Sequence, residues 1–181
     1  INLNYLFGYN AIIAELLKTE IFNNKNLDFS LSINADNVYE NLYFKKINLE
    51  TRIQEGLIDV DNTKFKWKNF ADFHLTESLI FVRNGELILD GKLNIVIEDY
   101  NEIFKFLVTP KSYRKKIKKI NLNFRYNFDQ KIAELKDIKI DDKIHLDLNK
   151  VLNNVIIKKD NLRNKIYFKN LLNNALKVYS G

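Results

Sequence analysis

Residues 78–98 read SLIFVRNGELILDGKLNIVIE and contain the longest unbroken two-residue alternation in the chain. Successive side chains of a strand point to opposite faces of its sheet, so this pattern predicts a half-buried antiparallel strand with one apolar and one polar face. About a dozen residues at roughly 3.3 Å each give a strand of some 40 Å, about twice the usual length. The residues of its apolar parity are Leu87, Leu89, Leu93, Ile95 and Ile97.

The sequence on both sides of this stretch predicts more strands joined by short turns. Asn84-Gly85 is the strongest two-residue hairpin signal. The alternation slips by one residue near Lys45 and Lys46, which predicts a β-bulge there. The other predicted strands cover residues 27–34, 42–53, 57–67, 70–81, 120–128, 132–140 and 144–148.

Three stretches instead have helical spacing. Residues 10–22 and 160–180 carry apolar side chains on one helical side. Asp99 and Glu102 form a capping box at the start of a third helix, which Pro110 ends.

Runs of strands joined by short turns indicate an antiparallel sheet, not a parallel α/β fold. We therefore expect a mainly β (β-rich α+β) protein: a long, curved antiparallel sheet that forms a groove, with short flanking helices. Residues 1–181 are expected to be a single segment of a larger protein, because the sequence does not begin with methionine. Its expected parts are a helical lead-in at 1–26, a sheet at 27–150 interrupted by a helix near 99–108, and a C-terminal helix at 160–180.

Composition excludes several classes of function. The chain has no cysteine, and therefore no disulfide, thiolate metal site or cysteine nucleophile. Its net charge of +6 comes from 29 Lys and Arg against 23 Asp and Glu, a mixture that is typical of a solvated surface. The sequence shows no run of about 18 apolar residues that would predict a membrane span.

No enzyme motif is present: the chain contains no phosphate loop, GxSxG or HExxH pattern. His74 and His145 have no metal-ligand spacing, and we interpret them as ordinary strand residues. The neighbouring carboxylates at residues 59 and 61 and at 141 and 142 adjoin predicted turns, where Asp is favoured. We expect no enzymatic activity, no cofactor and no metal site.

Two groups of residues are candidate binding surfaces. The apolar faces of the two clearest strands either line an open groove for lipid chains or form a core under helices. The basic connector before the second strand either contacts lipid headgroups or is a solvated loop. The groove candidates are Leu87, Leu89, Leu93, Ile95, Ile97, Leu122, Phe124, Tyr126 and Phe128, and the headgroup candidates are Arg114, Lys115, Lys116, Lys118 and Lys119.

Three blocks of this sequence resemble the carboxy-terminal region of AsmA-like proteins. They are INADNVYENLYFKKINLETRIQEGLIDVD at 33–61, GELILDGKLNIVIEDYNEIFKFL at 85–107 and KKIKKINLNFRYNFDQKIAELKDIKID at 115–141. The resemblance spans roughly residues 27–141 and consists of alternating strands with a few glycines. The family brings no catalytic motif.

This resemblance implies a segment of a Gram-negative envelope protein that is anchored in the inner membrane and extends through the periplasm. AsmA-like proteins are similar to bridge-like lipid transfer proteins, in which acyl chains move along an apolar sheet face. The expected function is therefore non-enzymatic phospholipid transport, with phospholipid, a membrane surface and the rest of the parent chain as partners. The alternative is a structural β-module of a secreted or surface protein that binds a protein partner along an edge strand. Nucleic-acid binding is not expected, because the basic cluster lacks interleaved stacking aromatics.

Overall fold

A computed structural model describes residues 12–19, 21–38, 41–153, 157–158 and 164–180. These residues form a mainly β structure in which ten strands make one antiparallel sheet, so the predicted fold class is confirmed. The strands are β1 (Asp28–Val38), β2 (Asn41–Gln54), β3 (Leu57–Asp59), β4 (Lys64–Trp67), β5 (Ala71–Arg83), β6 (Glu86–Ile97), β7 (Lys119–Asn127), β8 (Ile132–Ile140), β9 (Lys143–Ile144) and β10 (Ile157–Lys158).

The strands lie in the sheet in the order in which they occur in the chain. The order is β1-β2-β3-β5-β6-β7-β8-β10, with β4 also between β2 and β5, and with β9 against β8. The strand that the alternation singled out, β6, lies in the middle and pairs with both β5 and β7 along most of its length. The register of the pairs places Phe73, Ile95 and Ile120 of three neighbouring strands on one shared face.

Four helices and two short 3-10 turns accompany the sheet within the described residues. They are α1 (Ile12–Lys18), α2 (Tyr100–Leu107), α3 (Leu146–Asn153) and α4 (Lys165–Ser180), with the 3-10 turns at Ile21–Asn23 and Lys111–Tyr113. α2 starts as predicted, since the carboxylate of Asp99 accepts a hydrogen bond of 3.0 Å from the N–H of Glu102. The helix ends before Pro110, at a left-handed Val108.

The predicted turn and bulge chemistry is confirmed. Asn84 and Gly85 have φ values of 54° and 76°, the left-handed pair that a tight hairpin requires. Lys46 has a φ of 50° where the register of β2 shifts between Lys45 and Asn48. β5 also has a bulge, and Gly91 of β6 lies against it: a Cβ at residue 91 would come within 2.8 Å of the Cα of Ser78.

Two predicted strands are wrong. Residues 57–67 form two strands, because a turn with a left-handed Asn62 (φ 65°) interrupts them. Residues 144–148 were predicted to be a strand, but Leu146 begins helix α3. Leu148 and Leu152, four residues apart, are both buried in a cluster with β8. The Asn149 side chain also bonds to both the N–H and the carbonyl of Ile138, at 2.7 and 2.9 Å.

The boundaries of the flanking elements also differ from the predictions. The sheet was expected to reach residue 150, but α3 occupies residues 146–153. Of the predicted helix at 10–22, the structure shows α1 at 12–18, while residues 10, 11 and 20 lie outside the described part. The C-terminal helix starts at Lys165, and residues 160–163 are likewise outside the described part.

The core lies on one face of the sheet, in two clusters beneath helices. In the first cluster, Ala14 and Leu17 of α1 pack with buried residues of β2, β3, β5 and β6. In the second cluster, α3 and α4 contribute Leu148, Leu152 and Tyr179, which pack with buried residues of β7 and β8. The opposite face carries mostly polar and charged side chains.

Candidate functional site

The nine residues that the sequence proposed as a groove lining all lie on the apolar face. Eight of them pack in the two clusters: Leu87, Leu89 and Phe128 in the first, and Leu93, Ile95, Ile97, Leu122 and Phe124 in the second. Tyr126 makes an edge contact with Phe128, with ring centroids 4.9 Å apart. Leu87 and Leu122 are buried, and the other seven are half-buried. Most of this set therefore contributes to packing under the helices.

The same face carries three aromatic rings that the sequence did not single out. Phe44 on β2, Phe65 on β4 and Phe73 on β5 form what we call the aromatic strip. Phe65 and Phe73 are partners in register, and their rings stack with centroids 4.8 Å apart. The Phe44 ring lies edge-on to both, at 5.5 and 6.1 Å.

The rings of the aromatic strip are more exposed than the buried residues of the two clusters. All three rings are half-buried, and none of them is among the residues that make up the two helix-covered clusters. Towards the edge of the sheet, the same face continues to Phe29 and Leu31 of β1, which are 40% and 44% exposed. Exposed apolar surface of this kind marks interaction sites on folded proteins.

One end of the aromatic strip adjoins a group of packed aromatic side chains at the end of the sheet. Trp67 is in register with Phe44 of the neighbouring strand and is buried. Its ring centroid lies 5.3 Å from that of Phe106 on α2 and 6.5 Å from that of Phe168 on α4. The aromatic surface is thus continuous from the strip to these two helices.

Three ammonium groups surround Phe106 at this end. The Nζ atoms of Lys68, Lys165 and Lys169 lie 6.0, 6.0 and 5.0 Å from its ring centroid. Lys68 follows β4, whereas the other two lie one turn apart in α4. We call these three residues the lysine cluster. Within the part of the chain that the structure describes, none of them is in an ion pair with a carboxylate.

Most residues of the predicted basic connector make contacts within the protein. Arg114 donates from Nε to the carbonyl of Thr109 at 2.9 Å. Lys115 and Lys116 lie over the rings of Tyr179 and Tyr100. Lys119 pairs with Asp142 at 3.5 Å, and Lys118 donates its backbone N–H to Asp141. These contacts fix the connector against the end of the sheet.

The excess positive charge of the chain is concentrated in two segments at this end. Residues 99–119 and 164–180 contain ten of the 29 Lys and Arg but only two of the 23 Asp and Glu. The remaining residues therefore carry 19 basic against 21 acidic side chains, which nearly cancel. The field of the molecule is positive at the end where α2 and α4 lie.

The polar face has a different character. A cavity of about 470 Å³ opens there, near the β1 edge. Its walls include Glu50, Arg52, Asp59 and Asp61, so they are too charged to accept an acyl chain. Asp59 accepts a local hydrogen bond from the N–H of Asp61, as the turn interpretation expects. Asp61 instead accepts the N–H of Ser78 on the neighbouring strand β5.

The two histidines lie far apart in the structure. His74 is on the polar face of β5, opposite Asn94. His145 was predicted on a strand but precedes α3, with its ring edge-on to Tyr179 at 4.9 Å. In the described residues no group of three or more His, Asp or Glu side chains is placed to hold a metal ion.

At the other end of the sheet, an ion pair holds α1 over the first cluster. Lys18 of α1 donates a hydrogen bond to Asp129, whose carboxylate also accepts the N–H of Leu87 at 2.8 Å. Burial acts to raise the pKa of Asp129, but these two hydrogen bonds hold that pKa below its usual value. The same contact raises the pKa of Lys18.

The chain was compared with known families, curated proteins and solved structures. No family model, curated protein or solved structure matches it. Among the helices described, none is long and apolar enough to cross a bilayer.

Proposed function

We propose that this sheet holds phospholipid on its apolar face and shields the acyl chains from water, without catalysing a reaction. The observation that carries the proposal is the aromatic strip: three half-buried rings outside the two helix-covered clusters. The helices cover the apolar face on both sides of the strip. This arrangement favours a chain-like apolar ligand lying between the two covered regions.

The free energy gained by burying apolar groups favours the binding of a lipid chain. Moving an acyl chain from water into an apolar contact gains about 0.8 kcal/mol for each buried CH₂ group. The rings of Phe44, Phe65 and Phe73 offer no hydrogen bond that would fix the chain at one position. Binding at successive positions along the strip is therefore similar in free energy, as sliding of the lipid requires.

The resemblance of the sequence to the AsmA-like region adds to this proposal. On that basis we propose that the chain is a periplasmic segment of an envelope protein anchored in the inner membrane. Its contribution to phospholipid transport between membranes, and so to outer membrane assembly, would be to continue an apolar path along the sheet. Phospholipid and the rest of the parent chain are the proposed partners.

Native mass spectrometry with added phospholipid tests the proposal. Phe65→Asp places a carboxylate on the strip, whereas Lys64→Asp places the same group one residue earlier on the polar face. We expect lipid adducts on the wild type and on Lys64→Asp, and none on a folded Phe65→Asp variant. Equal loading of both variants, or no loading of the wild type, would overturn the proposal.

The edge strand β1 favours a second candidate function. It is 11 residues long, is paired on one side by β2, and exposes Phe29 and Leu31. Such an edge can accept a strand from a protein partner. A wild-type chain that takes up no phospholipid would favour this structural module.

A further inference from the structure

The lysine cluster is a site that the basic pattern of the sequence did not indicate. Lys68 lies about a hundred residues from Lys165 and Lys169 in the chain, and the fold brings their ammonium groups around the Phe106 ring. Lys68 also lies over Tyr43, with its Nζ 4.9 Å from that ring centroid. Three ammonium groups within 6.0 Å of one ring centroid repel each other, and a bound anion would offset this repulsion.

The protein itself supplies no such anion among its described residues, where no carboxylate pairs with the lysine cluster. Lys119 of the connector differs, since its ammonium group is paired with Asp142. The N–H groups of Ile166 and Tyr167 at the start of α4 are also satisfied, because both donate to the side chain of Asn164. Among the described residues, the ammonium groups of Lys68, Lys165 and Lys169 thus lie over aromatic rings and have no carboxylate partner.

The position of the cluster relative to the strip identifies the ligand class. Phe44 of the strip is in register with Trp67, and Trp67 contacts Phe106, on which the ammonium groups converge. A molecule lying along this surface would place an apolar chain on the strip and an anionic group at the lysine cluster. Phospholipids have this arrangement of groups.

We propose that Lys68, Lys165 and Lys169 bind the phosphate group of a phospholipid whose acyl chain lies on the aromatic strip. This inference rests on the proposed function and adds that the protein prefers lipids that carry a phosphate group. Each ammonium group is a compact charge with three hydrogen-bond donors, carried on a flexible side chain. The three lysine side chains can therefore move to contact one phosphate group. Diacylglycerol has the same chains without the phosphate and should bind more weakly.

The test compares dioleoylphosphatidylglycerol with dioleoylglycerol, both measured by native mass spectrometry. The variant Lys165→Gln/Lys169→Gln removes two of the three charges. Its matched control is Lys25→Gln/Arg83→Gln, which removes two exposed charges at the opposite end of the sheet. Each ammonium group near an anionic lipid is worth about fivefold in affinity, so we expect the first variant to lose about 30-fold in affinity for phosphatidylglycerol.

The expected result is that diacylglycerol uptake is unchanged in both variants and that the control retains its preference for phosphatidylglycerol. Equal uptake of the two lipids by the wild type would overturn the inference while leaving the proposed function standing. Uptake of neither lipid would overturn both. Displacement of the lipid by inorganic phosphate alone would show that the cluster binds free phosphate, and would also overturn the inference.

Discussion

The apolar face has one part that helices cover and another part that is exposed to solvent. The same two-residue alternation in the sequence produces both parts. Leu87 belongs to the first cluster under α1 and is 1% exposed. Phe29 and Leu31 occupy the same face on β1 and are 40% and 44% exposed. Alternation places a side chain on a face, whereas the position of distant helices decides whether that face is core or binding surface.

A charged side chain introduced beneath α1 should have the largest effect on the stability of the protein. Leu87→Asp buries a carboxylate under α1, among the apolar side chains of the first cluster. We expect a loss of about 4 kcal/mol or more in the free energy of unfolding, so that the variant does not fold. Circular dichroism and urea unfolding measure this loss. A folded Leu87→Asp variant with near wild-type stability would show that α1 does not cover this position.

A carboxylate on the aromatic strip should lower the free energy of unfolding much less than one beneath α1. Phe65 is half-buried, so the carboxylate of Phe65→Asp remains in contact with water. We expect a folded protein that has lost about 1–2 kcal/mol, mainly from ring packing with Phe73. The same urea experiment applies. Unfolding of both variants to an equal degree would remove the distinction between the covered and the half-exposed regions.

The smallest expected effect concerns the ion pair that holds α1 over the first cluster. Hydrogen bonds from Lys18 and from the N–H of Leu87 keep the pKa of Asp129 low in the folded state. A group with a lowered folded pKa stabilises the protein above its unfolded pKa of about 3.9, and that contribution is lost as the pH falls through the folded pKa.

Asp129→Asn should therefore lose about 1 kcal/mol of stability at pH 7 and less than that at acidic pH. The measurement is the urea midpoint of both proteins as a function of pH. An equal loss at every pH would indicate that Asp129 acts through its shape and not through its charge. The exposed Asp147, which pairs with Lys150 one helical turn later, provides a control site for the same substitution.

Local signals in the sequence were enough to predict most of the sheet. Asn84-Gly85, the parity slip at Lys45 and Lys46, and the capping box at Asp99 each have a mechanism that acts over a few residues. The predictions were wrong where contacts between residues far apart in the sequence determine the secondary structure. The alternation of residues 144–148 predicted a strand, but packing on β8 and the hydrogen bonds of Asn149 to Ile138 select a helix from Leu146 onwards.

The candidate site was harder to predict for the same reason. Phe44, Phe65 and Phe73 come from three strands, and their contact depends on a register that a bulge shifts in β2. The nine proposed lining residues share the correct face, but the sequence could not show that helices cover most of them. The lysine cluster also joins distant segments. A signal for it existed only in the spacing of Lys165 and Lys169, four residues apart on one helix side.

The most direct test of the central claim is to locate the lipid chain on the protein. A phospholipid with a photoreactive diazirine in its acyl chain is loaded onto the wild-type chain and irradiated, and the cross-linked residues are identified by mass spectrometry. We predict adducts at Phe44, Phe65, Phe73 and their neighbours on the apolar face. Adducts at the charged cavity around Arg52 and Asp59, or scattered over the polar face, would contradict the claim.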